Sequence, residues 1–137
     1  MFNKVLFPTD FSANAHRTLD CIGQIPGVKE VVLLHVIDAT HPSRHGWIQG
    51  PQVQDAKLRL EEHKEHFESL GLDVKAKVDV IKEGDISQSI METADKENVS
   101  LIVMNSYGKS LIKGLLLGSV PLSVLRHAKK RCFANVL

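Results

Sequence analysis

Residues 4–12 read KVLFPTDFS, an apolar run that stops at a proline and passes directly into threonine, aspartate and serine. A continuous aliphatic run of this length is what a strand shows when helices cover both of its faces. Ser12 stands where a helix cap is wanted, ahead of Ala15, Leu19, Ile22 and Ile25 on one helical face and a break at Pro26-Gly27. Strand, turn and helix are the opening of a βαβ unit, and Asp10 falls at the carboxyl tip of what is expected to be the central strand.

The alternation continues outward from this stretch. Apolar runs at Glu30 to Val36 (EVVLLHV), Val74 to Ile81 (VKAKVDVI), Leu101 to Asn105 (LIVMN) and, more weakly, Phe133 to Leu137 are separated by segments of helical period. The run at Val74 alternates Val74, Ala76, Val78 and Val80 with Lys75, Lys77 and Asp79, which predicts an edge strand with one wet, lysine-guarded face. A long helix is expected from Gln52 to Leu70, with a stripe at Val53, Ala56, Leu60, His63, Phe67 and Leu70 and with Gly71 as its stop. Asp85 and Gln88 have the spacing of a capping box ahead of Ile86, Ile90 and Ala94, and Ser119 opens a last helix through Val120, Val124 and Ala128. Residues 38–51 carry proline and glycine breakers and Trp47, and read as a surface loop. The expected fold class is α/β: a single doubly wound, five-stranded parallel sheet in a three-layer sandwich, with residues 1–137 as one domain. In such sheets ligands sit at the carboxyl ends of the strands, beside the switch in strand order.

Composition narrows the function classes. A chain of 137 residues with 43% apolar content can bury a core without staples. Seventeen basic against sixteen acidic residues leave a formal charge of +1, so no charge excess draws the chain to nucleic acid or to an anionic membrane. No apolar stretch approaches the ~20 residues of a membrane span, and a soluble, cytoplasmic protein is expected. Cys21 and Cys132 are far apart and read as buried thiols. The pairs His63/His66 and His41/His45 lack a carboxylate or cysteine that would complete a ligand set, so no metal site made by the chain alone is expected. His35 reads as a satisfied core imidazole, and the basic run from Arg126 to Arg131 as a complement to a helix C-terminus.

Candidate chemistry concentrates in residues 105–119, NSYGKSLIKGLLLGS. Gly108, Gly114 and Gly118 leave backbone N–H groups open, and Ser119 begins a helix whose positive end favours an anion. A phosphate cradle is one reading, and a glycine-containing surface loop with a serine cap is the other. Gly108-Lys109-Ser110 looks like the end of a Walker A loop, but Val103 stands where that motif needs glycine. Asp10 can meet a ribose hydroxyl or, through a divalent ion, a phosphate, and it can also help to cap its own helix. Met104 and Tyr107 flank the loop and can pack on a flat base; Met104 can equally well pack in the core.

Together these residues resemble the universal stress protein family over nearly the whole chain. Pro8-Thr9-Asp10-Phe11-Ser12 matches the family's P-T-D-x-S and Leu34-His35-Val36 its L-H-V. Gly108, nine residues, and Gly118-Ser119 match the larger part of its G-x-x-G-x(9)-G-[ST] loop. Residues 115–120, LLLGSV, and 124–128, VLRHA, look like the family as well. The resemblance implies a sheet of order 3-2-1-4-5, a homodimer through the C-terminal strand, and an ATP or AMP site with Mg or Mn held through the phosphates. It places Pro8, Thr9, Asp10, Val36, Met104, Asn105, Gly108, Gly118, Ser119 and Val120 at that site. Asp10 would approach the ribose or a phosphate-bound metal, and the Val36 backbone the adenine edge. Gly108, Gly118, Ser119 and Val120 would hold the phosphates. Two positions depart from the family: Asn105 stands for the first loop glycine, and RCFANVL at 131–137 replaces a more apolar terminal strand. The expected role is regulatory. The alternatives are a nucleotide-free dimerisation module with a degenerate site and, with no general base or nucleophile evident beside the loop, a slow ATPase.

Overall fold

Strands that bury alternate side chains on opposite faces need a helical layer on each side, and the chain supplies both. A computed structural model describes residues 2–40, 50–105 and 119–135. The elements are β1 (Lys4–Pro8), α1 (Ala13–Ile22), β2 (Glu30–Asp38), α2 (Gly50–Ser69), β3 (Asp73–Ile81), α3 (Ile86–Lys96), β4 (Leu101–Asn105), α4 (Ser119–His127) and β5 (Arg131–Asn135). The five strands are parallel in the order β3-β2-β1-β4-β5, the doubly wound α/β arrangement expected.

Val5, Phe7, Val31, Leu33, Leu101 and Val103 turn to one face, where Ala15, Leu19 and Ile22 of α1 and Leu60 and Phe67 of α2 cover them. Leu6, Val32, Leu34, Ile102 and Met104 turn to the other, under Ile90 and Ala94 of α3 and Val124 of α4. Each large aliphatic or aromatic side chain so buried contributes roughly 1.5–3 kcal/mol, and β1, in the middle, is locked from both sides.

Local chemistry ends the helices. Ser12 Oγ accepts the Ala15 N–H at 3.3 Å and starts α1, which stops at Ile22, before the Pro26-Gly27 break; Ile25 still packs against the core from the following turn. At the end of α2 the Gly71 N–H donates to Glu68 O at 2.9 Å and the Leu72 N–H to Phe67 O at 3.2 Å, with Gly71 at φ 85°. This Schellman turn swings Leu70 off the stripe on which it was expected, and Leu70 is 53% exposed.

Three further expectations are corrected. Strand β3 lies at the edge of the sheet as expected, but its lysine face is only partly wet: Lys75, 63% exposed, meets Glu97 at 2.7 Å, and Ser89 Oγ of α3 donates to Asp79 at 2.5 Å. Strand β5 starts two residues before Phe133, because pairing of Arg131 with Leu101 begins as soon as α4 has ended. Cys21 and Cys132 are only half-buried; burial raises the Cys132 thiol pKa.

A Cβ added at Gly71 meets no heavy atom within 4 Å, so Gly71→Ala tests backbone strain alone. It is expected to cost about 1 kcal/mol in urea unfolding, and Gly71→Asn less; equal stability of all three chains would contradict this account of the α2 terminus.

Candidate functional site

Strand order reverses at β1, with β2 and β3 to one side and β4 and β5 to the other. The β1–β2 register runs to Pro8↔Leu34, whereas the β1–β4 register ends at Leu6↔Ile102. Pro8 explains the difference. The Thr9 N–H donates to Leu34 O at 2.9 Å on the β2 side, and Lys4 O accepts the Ser100 N–H at 2.8 Å on the β4 side. Two-residue alternation therefore turns the Pro8 nitrogen toward β4, where it has no hydrogen to give. The same alternation turns the main-chain N–H and C=O of Val36 toward the line of β1, two residues beyond the pairing of Leu34 with Pro8.

A cavity of about 310 Å³ occupies the resulting crevice, at the lower end of small-molecule sites. Its floor is Pro8 at the end of β1, Thr9 and Asp10 after it, and Met104 and Asn105 of β4; its walls are Leu34, His35 and Val36 of β2 and Ile86 and Ile90 of α3. The first turn of α4, Ser119, Val120 and Pro121, closes the remaining side. The N–H groups of Ser119 and Val120 are among those a helix leaves without intrahelical partners, and they carry the positive end of its dipole.

The β1–α1 turn is held by its own polar groups. Thr9 Oγ1 accepts the Phe11 N–H at 3.1 Å and Asp10 Oδ1 the Ser12 N–H at 3.0 Å. His35 Nδ1 lies 2.8 Å from Thr9 O; since a carbonyl only accepts, that nitrogen carries the proton. Phe11 adopts φ 62°, a left-handed conformation that costs a residue with a Cβ roughly 1–2 kcal/mol.

Helix α3 is set by its cap. Asp85 Oδ1 accepts the Gln88 N–H at 2.8 Å and the Ser87 hydroxyl at 2.7 Å, and Ser87 Oγ meets Ser123 Oγ of α4 at 2.9 Å. The Gln88 N–H first, and the Ser87 hydroxyl second, hold the Asp85 carboxyl below its ordinary range.

Of the ten residues expected at a site, Pro8, Thr9, Asp10, Val36, Met104, Asn105, Ser119 and Val120 line this one cavity, while Gly108 and Gly118 lie outside the described residues. Met104 packs in the second core and also lines the cavity. Sequence reasoning missed Leu34, His35, Ile86, Ile90 and Pro121 as lining residues. The i, i+4 spacing of Ile86 and Ile90 behind the Asp85 cap was the available signal for the α3 wall. Among the described residues no group of three or more His, Cys, Asp or Glu side chains could hold a metal ion, and no helix is long and apolar enough to cross a membrane.

The model of the universal stress protein family matches residues 1–133. The chain belongs to this family. Universal stress protein MJ0577 of Methanocaldococcus jannaschii is 31% identical over 95% of this chain and 92% of its own length. The solved structure of MJ0577 superposes with a TM-score of 0.87 at 32% identity, covering 98% of this chain and 95% of that one. The crystal structure of the protein PH0823 gives a TM-score of 0.77 at 33% identity over 98% of this chain and 94% of that one. A universal stress protein in complex with cAMP shares the fold, with a TM-score of 0.72 at 24% identity over 98% of this chain and 97% of its own. In this universal stress protein the crevice sits at the switch in strand order, where open α/β sheets bind their ligands.

Asp85→Ala is expected to destabilise the chain by about 1 kcal/mol at neutral pH. The folded carboxyl titrates below its ordinary 3.8, so its contribution is complete above that value and is lost as pH falls through the lowered one. Urea unfolding of both chains at neutral and acid pH should show the gap closing in acid; a gap independent of pH would contradict the cap.

Proposed function

We propose that this chain is a cytoplasmic regulatory domain that binds an adenine nucleotide, ATP or AMP, in the crevice between the carboxyl ends of β1 and β4. The observation that carries the reading is the opposition, across one cavity, of an apolar slot with main-chain groups at one end and a helix N-terminus at the other. Leu34, Ile86 and Ile90 offer flat apolar walls to a base, and the Val36 N–H and C=O, turned past the end of β1, suit the edge of an adenine. The first-turn N–H groups of α4 suit phosphate oxygens, to which the family's loop would add Gly108 and Gly118. Asp10 lines the same cavity and suits ribose hydroxyls. A single carboxylate also suits Mg or Mn bound mainly through nucleotide phosphates and water. The universal stress protein that forms a complex with cAMP, an adenine nucleotide, has this fold.

A second reading rests on Asn105. This side chain is 7% exposed and lines the cavity where the family's loop begins with glycine, so it occupies space that a ribose or phosphate would share. On that reading the chain is a nucleotide-free dimerisation module. Either reading uses β5, which lies at the edge of the sheet, as the strand that joins two copies.

ATP or AMP in large excess over Kd should raise the melting temperature, since occupancy at 100 Kd stabilises the folded state by about 2.7 kcal/mol. Asp10→Ala should weaken binding by roughly tenfold or more, as loss of a charged hydrogen-bond partner does. No shift with either nucleotide, together with binding newly gained in Asn105→Gly, would favour the module without ligand. Sedimentation equilibrium should return twice the chain mass; a monomer at all concentrations would remove the dimer.

A further inference from the structure

Behind the crevice, on the face of the sheet covered by α1 and α2, rings and a guanidinium gather around Phe11. This residue joins Asp10, which lines the cavity, to Ser12, which caps α1, and its backbone is left-handed at φ 62°. Its ring lies 4.4 Å from that of His35 and 5.9 Å from that of His63, which it stacks, and the Arg59 guanidinium stands 5.4 Å from its centroid. His16 meets His63 edge-on at 5.2 Å. The strained turn is thus held by side chains of α1, α2 and β2, of which His35 also lines the cavity and meets Thr9 O, while Arg59, His16 and His63 are not among the lining residues.

We propose that Phe11 is a positioning residue for the nucleotide site, and that protonation of His63, stacked on Phe11 and met edge-on by His16, makes nucleotide affinity proton-linked. This inference rests on the nucleotide reading above. With the His63 imidazole neutral the clamp on Phe11 holds and Asp10 is presented to the ligand. Protonation puts new positive charge beside Arg59, which already stands over the same ring, and the clamp loosens.

Among the described residues, the charged and titratable groups around the clamp come from α1, α2, β2 and the turn. From α1 comes His16; from α2, Asp55, Arg59, Glu62 and His66; from β2, His35; and from the turn itself, Asp10. Asp55 is engaged with Arg59 at 3.2 Å, and Asp10 Oδ1 with the Ser12 N–H. Glu62 favours a charged His63, but burial first and His16 second outweigh it, with His66 adding in the same direction, and they hold His63 below 6.5. The unfolded or released state takes up the proton more readily than the clamped one, so the clamp is intact above about pH 6.5 and weakens as pH falls below it.

AMP binding by the full chain, measured calorimetrically at about pH 7.5 and about pH 5.8, tests this, with His16→Gln and His63→Asn as comparisons. Wild-type affinity should fall by up to about fivefold over that interval, the most that one imidazole titrating at 6.5 in the released state can give, while His63→Asn, with no imidazole at that position, and His16→Gln, with one cause of the lowering removed, lose less. Titration of the AMP phosphate is common to all three chains and drops out of the comparison. His63 is buried and His16 exposed, so His16→Gln carries the test if His63→Asn does not fold. A pH profile of His16→Gln that parallels wild type, or a wild-type affinity that does not change, overturns the proton link and leaves the nucleotide site standing. Absence of AMP binding at about pH 7.5 overturns the nucleotide reading and this inference with it.

Discussion

Pro8 has no hydrogen to give on the β4 side of the central strand, and the crevice follows from that lack. Up to Leu6 the strand is paired on both sides; beyond it only the β2 ladder continues. Such an interruption in a central strand is tolerable because the two cores grip β1 from above and below through Val5, Leu6 and Phe7, all fully buried. Hydrophobic burial fixes the strand, and the missing N–H decides where it lets go of its neighbour.

What lies beyond Pro8 is organised before any ligand arrives. Thr9, Asp10 and Ser12 spend hydrogen-bonding groups on the turn itself, and His35 holds its carbonyl. Each such bond is worth about 1 kcal/mol net, and together with the ring contacts they offset the left-handed cost at Phe11. A turn ordered in advance loses little entropy when something binds to it, which is how a small cavity can hold a flexible ligand. On the opposite wall the Asp85–Ser87–Ser123 chain ties α3 to α4, so the apolar wall and the helix N-terminus are fixed relative to one another.

The central strands β1 and β4 were legible to the residue, because burial on both faces writes an uninterrupted apolar run bounded by Pro8 and Asn105. Caps at Ser12 and Asp85 were legible because their chemistry is local. Strand β5 was not, since Arg131 and Cys132 join the ladder through backbone pairing that composition does not record, and the partly covered face of β3 depended on where α3 would lie. Most of the candidate site could be read from the turn after β1 and the ends of β2 and β4. The α3 wall could not, because Ile86 and Ile90 resemble any buried stripe until the tertiary fold turns them to the crevice. The left-handed Phe11 was invisible, as no propensity suggests it.

The central claim is that one crevice, bounded by the turn after β1, the end of β2 and the start of α4, receives the nucleotide. An amide NMR titration with AMP examines all three at once. The account predicts that the resonances of Asp10, Val36, Ser119 and Val120 move together along one binding curve while those of Lys75 and Gly71, at the far end of the sheet, stay still. Shifts confined to a separate acidic hollow lined by Asp79, Glu83 and Glu92, or no shifts at saturating nucleotide, would contradict it.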